Sequence, residues 1–577
     1  MLTRRCTHFV IVVVVVSACL PATSVAEGSY NDLVALFEEF REFQEPPIRD
    51  GVPDFSPAAM NEQYRGLQGF KNRLAAIQSS SWPVWQQVDY HLVRAELNAL
   101  EFFHKVHKPW ARDPGFYSVM GGDAGATMNA EEFFAPVMSA AEPVMMMFFT
   151  GRDMEEMEFS LSKEEQAAMH AALAAIPELY EQAKNNLTEA ARDFAEFAIR
   201  NFEMEVALYE TLGQALEGDY PDLAGKATGA AVAVSNYIQW LEENKHTMAE
   251  KAGLGKDAYD WWLRNVQLSP WGWDDSDRII QQEYNRAITF LKLEEHRNRN
   301  LPPLDAAMSE RAYHESLRQA LHYVTDFLSN EEIMTIDDWV DPSDYYLSDG
   351  RGTPSELEEI DDSPSPEFLA ENSNVDTKYR QREILPGETH EYIGHMLDEQ
   401  RQERLTRSPI RSAERRFNMA SRRLEGWAVS LEELLMQAGV LDERPRRGRE
   451  MLYIMLSSHM SLAIPDMKMQ ANEINLAEAR QLCADITPRG WTHADEDVVY
   501  FEMQSNLRNP GGFHSDVVTG KAYFMKLFRE RAQALGDDFV IRDFIDEFLS
   551  SGLIPMSLIR WEMTGNSDDV TLVTEDL

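Results

Sequence analysis

A mainly α fold, built from many helices with at most a small β element, is predicted by three observations. Apolar residues recur at helical spacing along most of the chain. Alternating Val, Ile and Thr bounded by turn residues hardly occurs, so any sheet is small. The apolar fraction is 44% and the aromatic fraction 10% over 577 residues, which is globular and ample for a large core.

Each element has its own signal. Residues 31–40 place Leu33, Leu36, Phe37 and Phe40 on one face, and 63–77, 90–103 and 167–212 show the same period. Ser162 with Glu165 forms a capping-box pattern ahead of the third of these. Two further helices are expected over 274–298 and 305–329, separated at Pro302-Pro303. The stretch 331–386 is acidic and rich in Asp, Ser and Pro. It divides an N-terminal helical half, 27–330, from a C-terminal helical half, 387–577, and reads as a mobile acidic linker more than a substrate lid. Shorter loops are expected at 121–126 and 269–274. No internal repeat is visible.

The N-terminus reads as an export signal. Arg4 and Arg5 precede an apolar run at 9–16, and Ser24-Val25-Ala26 offers a small-x-small cleavage site, giving a signal peptide over 1–26. Val16-Ser17-Ala18-Cys19 also has the form of a bacterial lipobox, which would remove 1–18 and anchor the chain through lipid on Cys19. Both readings predict an exported bacterial protein, periplasmic or lipid-anchored at the cell envelope. No later stretch reaches 18 uninterrupted apolar residues, so no transmembrane helix is expected. The net charge of −43 argues against nucleic acid and anionic membranes as partners. With Cys6 and Cys19 in the signal, Cys483 is left nearly alone, and a disulfide framework is excluded.

The chemistry gathers in two segments, GluThrHisGluTyrIleGlyHisMetLeuAspGlu at 388–399 and LeuGluGlyTrpAlaValSerLeuGluGlu at 424–433. A His-Glu pair, a second His nearby and a Glu about 30 residues later in a helical stretch is how one-zinc peptidases assemble a site. The spacing is irregular. His390 and His395 are five apart, and on a regular α-helix that separates them by about 140°. A π-bulge near Gly394, a helix starting after His390, or another ligand pair would each resolve this. Glu425 and Glu432 are seven apart, two turns along one stripe, and Gly426 removes a side chain where a backbone or ligand approaches closely. Glu433 reads as an ordinary solvated helix charge. His104, His107, His314, His322 and His459 receive no role, because a lone His is more often structural.

At these residues the chain resembles the family called domain of unknown function 885, bacterial exported proteins often described as lipoproteins. Its members carry HisGlu-x-x-ProGlyHis and GluGlyTrpAla-x-x-x-Glu. Here the segments read HisGluTyrIleGlyHis at 390–395 and GluGlyTrpAlaValSerLeuGlu at 425–432. Similarity continues at 253–264, 466–479, 519–539 and 543–556, and spans most of 250–562. The family is grouped with gluzincin-type metallopeptidases. That implies a helical fold with an internal cleft, zinc ligands at His390, His395 and Glu425, and Glu391 as general base.

The chain also departs from the pattern. The proline before Gly394-His395 is missing, with one residue fewer between the histidines. Gln470 stands where the family often has His, and Val517 takes the position of a Tyr able to stabilise an oxyanion. His514 is the candidate to replace that Tyr, and Glu432 and Asp466 are candidates to support the site. The resulting expectation is an exported zinc hydrolase of peptides or small amides. The alternative is a catalytically inactive helical binding protein of the periplasm or cell surface. No GxGxxG after a strand, P-loop or GxSxG elbow points to other chemistry. Oligomeric state, and endo- against exo-cleavage, are not readable from the residues.

Overall fold

The computed structural model describes residues 28–119, 133–141, 160–307, 309–345, 374–405 and 407–574. Both export-signal readings, Cys19, the loop 121–126 and positions 346–373 of the acidic connection fall outside these residues.

Helices dominate, as the periodicity predicts. In chain order the principal ones are α1 (Tyr30–Phe43), α2 (Pro57–Ala75), α3 (Val84–Phe102), α4 (Lys163–Asn186), α5 (Arg192–Leu216), α6 (Pro221–Asn244), α7 (Lys256–Asn265), α8 (Trp273–Arg297) and α9 (Glu310–Asn330). The C-terminal half adds α10 (Val375–Arg380), α11 (Leu397–Arg404), α12 (Ser421–Ala438), α13 (Gly448–Gln470), α14 (Leu476–Ile486), α15 (Asp497–Arg508) and α16 (His514–Leu535), then α17 (Ile541–Ser550) and α18 (Met556–Thr564). The only named strands among the described residues, Ile48–Arg49 and Val52–Pro53, form one antiparallel hairpin.

Local signals set the helix ends. Ser29 with Asp32, Ser162 with Glu165 and Asn475 with Glu478 each close a reciprocal capping box. Leu33, Leu36, Phe37 and Phe40 are buried on one face of α1. The long period over 167–212 is two helices, not one. Residues 187–191 break it, and α5 then turns back to pack along α6. The helix expected from 305 begins only at Glu310, capped by Ser309, whose hydroxyl accepts from the Ala312 N–H.

One buried apolar cluster runs from Leu33 to Val573 and draws on both halves of the chain. Ion pairs cross between the halves as well. Arg411 binds Asp89 at 2.7 Å, and Arg508 binds Asp113 at 2.5 Å. In the C-terminal half α12 packs along α16 and the segment Thr389–Met396 lies on α12, while α8 of the N-terminal half packs along α13. A second, smaller apolar cluster joins the start of α5 to α13, α14 and α15 through Phe194, Phe197, Met469, Ala479, Cys483 and Met503. These packings hold the walls of the site.

Candidate metal centre

Thr389–Met396 is a π-helix. Hydrogen bonds running i→i+5 bring residues five apart over one another, which an α-helix does not. Of the three ways to reconcile His390 with His395, the π form is the one realised. His390 Nε2 and His395 Nε2 lie 3.0 Å apart. Gly394 explains the fit against α12, because a Cβ there would sit 2.5 Å from the Ala428 Cβ.

Glu425 comes from α12, and its Oε2 lies 3.9 Å from His390 Nε2 and 3.6 Å from His395 Nε2. The backbone next to it is set by a close helix crossing. A Cβ on Gly426 would fall 2.3 Å from the Gly520 carbonyl carbon, and one on Gly520 would fall 2.2 Å from the Arg422 carbonyl oxygen. Two glycines therefore allow α12 and α16 to touch, and it is a backbone rather than a ligand that meets Gly426.

Glu432, two turns along α12, accepts from His390 Nδ1 at 2.8 Å. That bond keeps the proton on Nδ1 and turns the Nε2 lone pair towards His395 and Glu425, the arrangement that metal-binding histidines use. The same Glu432 oxygen lies 3.3 Å from His459 Nε2 on α13. His459 thus belongs to the site, although the sequence reading gave it no role. Its signal was present: Ser457-Ser458-His459 follows directly on the apolar run 451–456. Glu433 is not a solvated charge. It is buried and paired with Arg286 at 2.6 Å and Lys521 at 2.8 Å, tying α12 to α8 and α16.

Electrostatics follow from this packing. Burial alone would push the Glu425 carboxyl up. The hydrogen bond and charge of His395, with His390 and His514 behind it, outweigh burial and hold Glu425 at about 2. Burial pulls His395 down, but Glu425 more than compensates and raises it. Burial pushes the His514 imidazole down to about 3. Cys483 is pushed up to about 12 by burial, which removes it as a thiolate nucleophile.

These groups border a cavity of about 440 Å³, lined by His390, Glu391, His395, Glu425, His459, Glu502 and His514. The end of the acidic connection reaches it too, through Asn374, Asp376 and Tyr379. Glu391 lines the cavity, 42% exposed, with Oε1 accepting from Arg380 Nη2 at 2.9 Å. Arg380 is partly buried and also pairs with Asp376 and Glu388. His514 Nδ1 donates to Asn506 Oδ1 at 2.9 Å, leaving Nε2 as a lone pair 3.5 Å from Glu502. Neutral His514 therefore accepts a hydrogen bond from the cavity more readily than it donates one to an oxyanion.

Asp466, a candidate to support the site, and Gln470, which stands where the family often has His, make hydrogen bonds that hold the fold. Asp466 is fully buried and accepts from the Ser515 N–H at 3.1 Å, securing the start of α16; burial raises its pKa to about 8. Gln470 donates to the Asn506 carbonyl at 2.8 Å and has no place in the cavity wall.

Residues 365–563 match the model of a family described as "Bacterial protein of unknown function (DUF885)". No curated protein matches the chain significantly. Among solved structures, a "putative lipoprotein of unknown function" from Shewanella oneidensis is similar with a TM-score of 0.67 and 15% identity, over 93% of this chain and 100% of that one. A "putative lipoprotein" from Colwellia psychrerythraea is similar with a TM-score of 0.64 and 13% identity, over 94% and 99%. At such identities the likeness shows a shared fold across nearly the whole chain. The matched segment 365–563 contains both motifs and every residue of the candidate metal centre.

Proposed function

We propose that the protein is a zinc-dependent hydrolase of peptide or related amide bonds that works outside the cytoplasm. One observation carries this reading, the convergence of His390 Nε2, His395 Nε2 and Glu425 Oε2, which all lie within 4.8 Å of one another. Tetrahedral zinc with ligands at about 2.05 Å spaces them by about 3.3 Å. Separations of 3.0, 3.6 and 3.9 Å need only small side-chain adjustments to reach that. Two neutral imidazoles and one carboxylate, with a cavity beside them, is the donor set of catalytic zinc sites that keep a position open.

A bound zinc would supply Lewis acidity, polarising a carbonyl and lowering the pKa of water. The chain's own groups do the rest. Glu432 fixes the tautomer and aim of His390, and His459 steadies Glu432. Glu391, anchored through one oxygen by Arg380, uses the other to take a proton from water and return it to the leaving amine. His514 Nε2 accepts a hydrogen bond from the substrate or the attacking water. Export rests on the N-terminal residues. Among the described residues no helix is long and apolar enough to cross a membrane.

The test is metal analysis of purified protein together with turnover of a peptide-amide library. The expected result is one zinc per chain and hydrolysis that Glu391→Gln lowers by at least about a hundredfold while zinc is retained. Zinc without turnover on any amide would leave the non-catalytic binding protein as the better reading. Absence of zinc would remove both histidine roles.

A further inference from the structure

Two residues that line the cavity carry buried side-chain oxygens without a hydrogen-bond partner among the described residues. The 3₁₀ turn Pro488–Gly490 leads into an irregular stretch that ends at Glu496, the N-cap of α15. Thr492 is 5% exposed and lines the cavity, and its hydroxyl has no hydrogen-bond partner among the described residues. Glu496 lines the cavity as well. Its Oε1 accepts from the His493 N–H at 3.0 Å, while Oε2 is buried and unpartnered. Leaving such a group without a partner costs free energy, which a fold ordinarily avoids and a ligand site accepts.

The surrounding charge selects the ligand. Among the described residues, no Lys or Arg side chain lines the cavity. Lys378 is close enough to influence Glu496, but its ammonium is given to the Trp491 carbonyl at 3.0 Å. Arg380 is taken by Asp376, Glu388 and Glu391. Glu502 adds a further carboxylate to the cavity wall. A carboxylate end of a substrate would find repulsion here and no cation to hold it. A primary ammonium brings three donors and a positive charge to two waiting acceptors. Burial raises the Glu496 pKa, outweighing the His493 N–H and the charges of Lys378 and His493, which pull it down.

We infer that the Thr492–Glu496 end of the cavity seats a primary ammonium of the substrate, with Glu496 Oε2 and Thr492 Oγ1 accepting its protons. The inference deepens the hydrolase reading and rests on it for the identity of the bond cleaved. The ammonium is either the free N-terminus of a peptide or the side chain of a lysine. Leu462, Val498 and Val499 give the same cavity an apolar surface for the adjoining part of the substrate.

Calorimetric titration of the full-length Glu391→Gln chain, with and without added zinc, tests this using three probes: leucinamide, N-acetyl-leucinamide and N-acetyl-lysinamide. At least one amine-bearing probe is expected to bind about tenfold or more tighter than N-acetyl-leucinamide. Whichever of the two binds tighter identifies an α- or ε-ammonium. Adding Glu496→Gln, which keeps an oxygen for the His493 N–H, should erase the difference, and Thr492→Val should reduce it. Equal binding of capped and free probes, binding of none, or a preference that survives Glu496→Gln would overturn the inference. The two readings fail separately. An amine preference in a chain that binds no zinc retires the hydrolase and keeps the ammonium site. Zinc-dependent cleavage of capped and free amides alike by the unsubstituted chain does the reverse.

Discussion

Two π-helical turns in this protein each carry a pair of histidines, and they end in opposite chemistry. In Phe103–His107, His104 and His107 are buried against Phe103, Tyr64 and Trp110. His104 Nε2 and His107 Nδ1 have no partner among the described residues. Burial pushes the two imidazoles down to about 4 and about 3, and Arg112 and Arg508 push His107 further in that direction. In Thr389–Met396, the paired rings face Glu425 and Glu432 from α12. Similar backbone and the same residue type give neutral packing in one place and a ligand set in the other. The neighbouring helix makes the difference, because it supplies carboxylates to one pair and none to the other.

The contrast can be broken at several points. The largest effect belongs to the ligands: His395→Ala or Glu425→Gln should weaken zinc binding by more than about a hundredfold in a chelator competition assay. The matching change at His104 or His107 should leave zinc affinity where it was. Next comes Glu432→Ala, which strips the acceptor from two histidines. It should lower zinc affinity by about 10- to 100-fold and stability by roughly 1–3 kcal/mol in urea unfolding. Gly426→Ala should destabilise by roughly 1–3 kcal/mol, since its Cβ meets Gly520 at 2.3 Å and α12 must move from α16.

The smallest effect sharpens the other side. His104 and His107 stay neutral in the fold, while the unfolded chain takes up protons below about pH 6.5. The unfolded state then binds more protons, so their contribution is fully present above that pH and is lost as pH falls towards 4. A His104→Leu/His107→Leu chain should differ in stability by less than about 1.5 kcal/mol at pH 8. Its melting temperature should fall less steeply than that of the unsubstituted chain between pH 6.5 and 4.

The sequence carried the helices well, because their apolar stripes and caps are local. Leu33 to Phe40 and the Ser162 cap needed no distant partner. Glu425, His390 and His395 were legible as ligand types through their motif, but their convergence was not. It depends on a π turn, and on Gly394, Gly426 and Gly520 letting segments far apart in the chain come together. His459 was passed over because its partner Glu432 lies 27 residues away on another helix. Glu433 was misread for the same reason, since Arg286 and Lys521 reach it from α8 and α16. The Thr492–Glu496 wall left no motif at all. It consists of acceptors without partners, which only three-dimensional packing can show.

Zinc K-edge absorption spectroscopy of the purified full-length chain, compared with His390→Ala, tests the central claim most directly. The expected result is one zinc per chain with nitrogen and oxygen neighbours at about 2.0–2.1 Å, two of them with the outer-shell scattering of imidazole. That signal should be lost in the variant. A chain that retains no zinc, or one whose zinc environment is unchanged by His390→Ala, would contradict it.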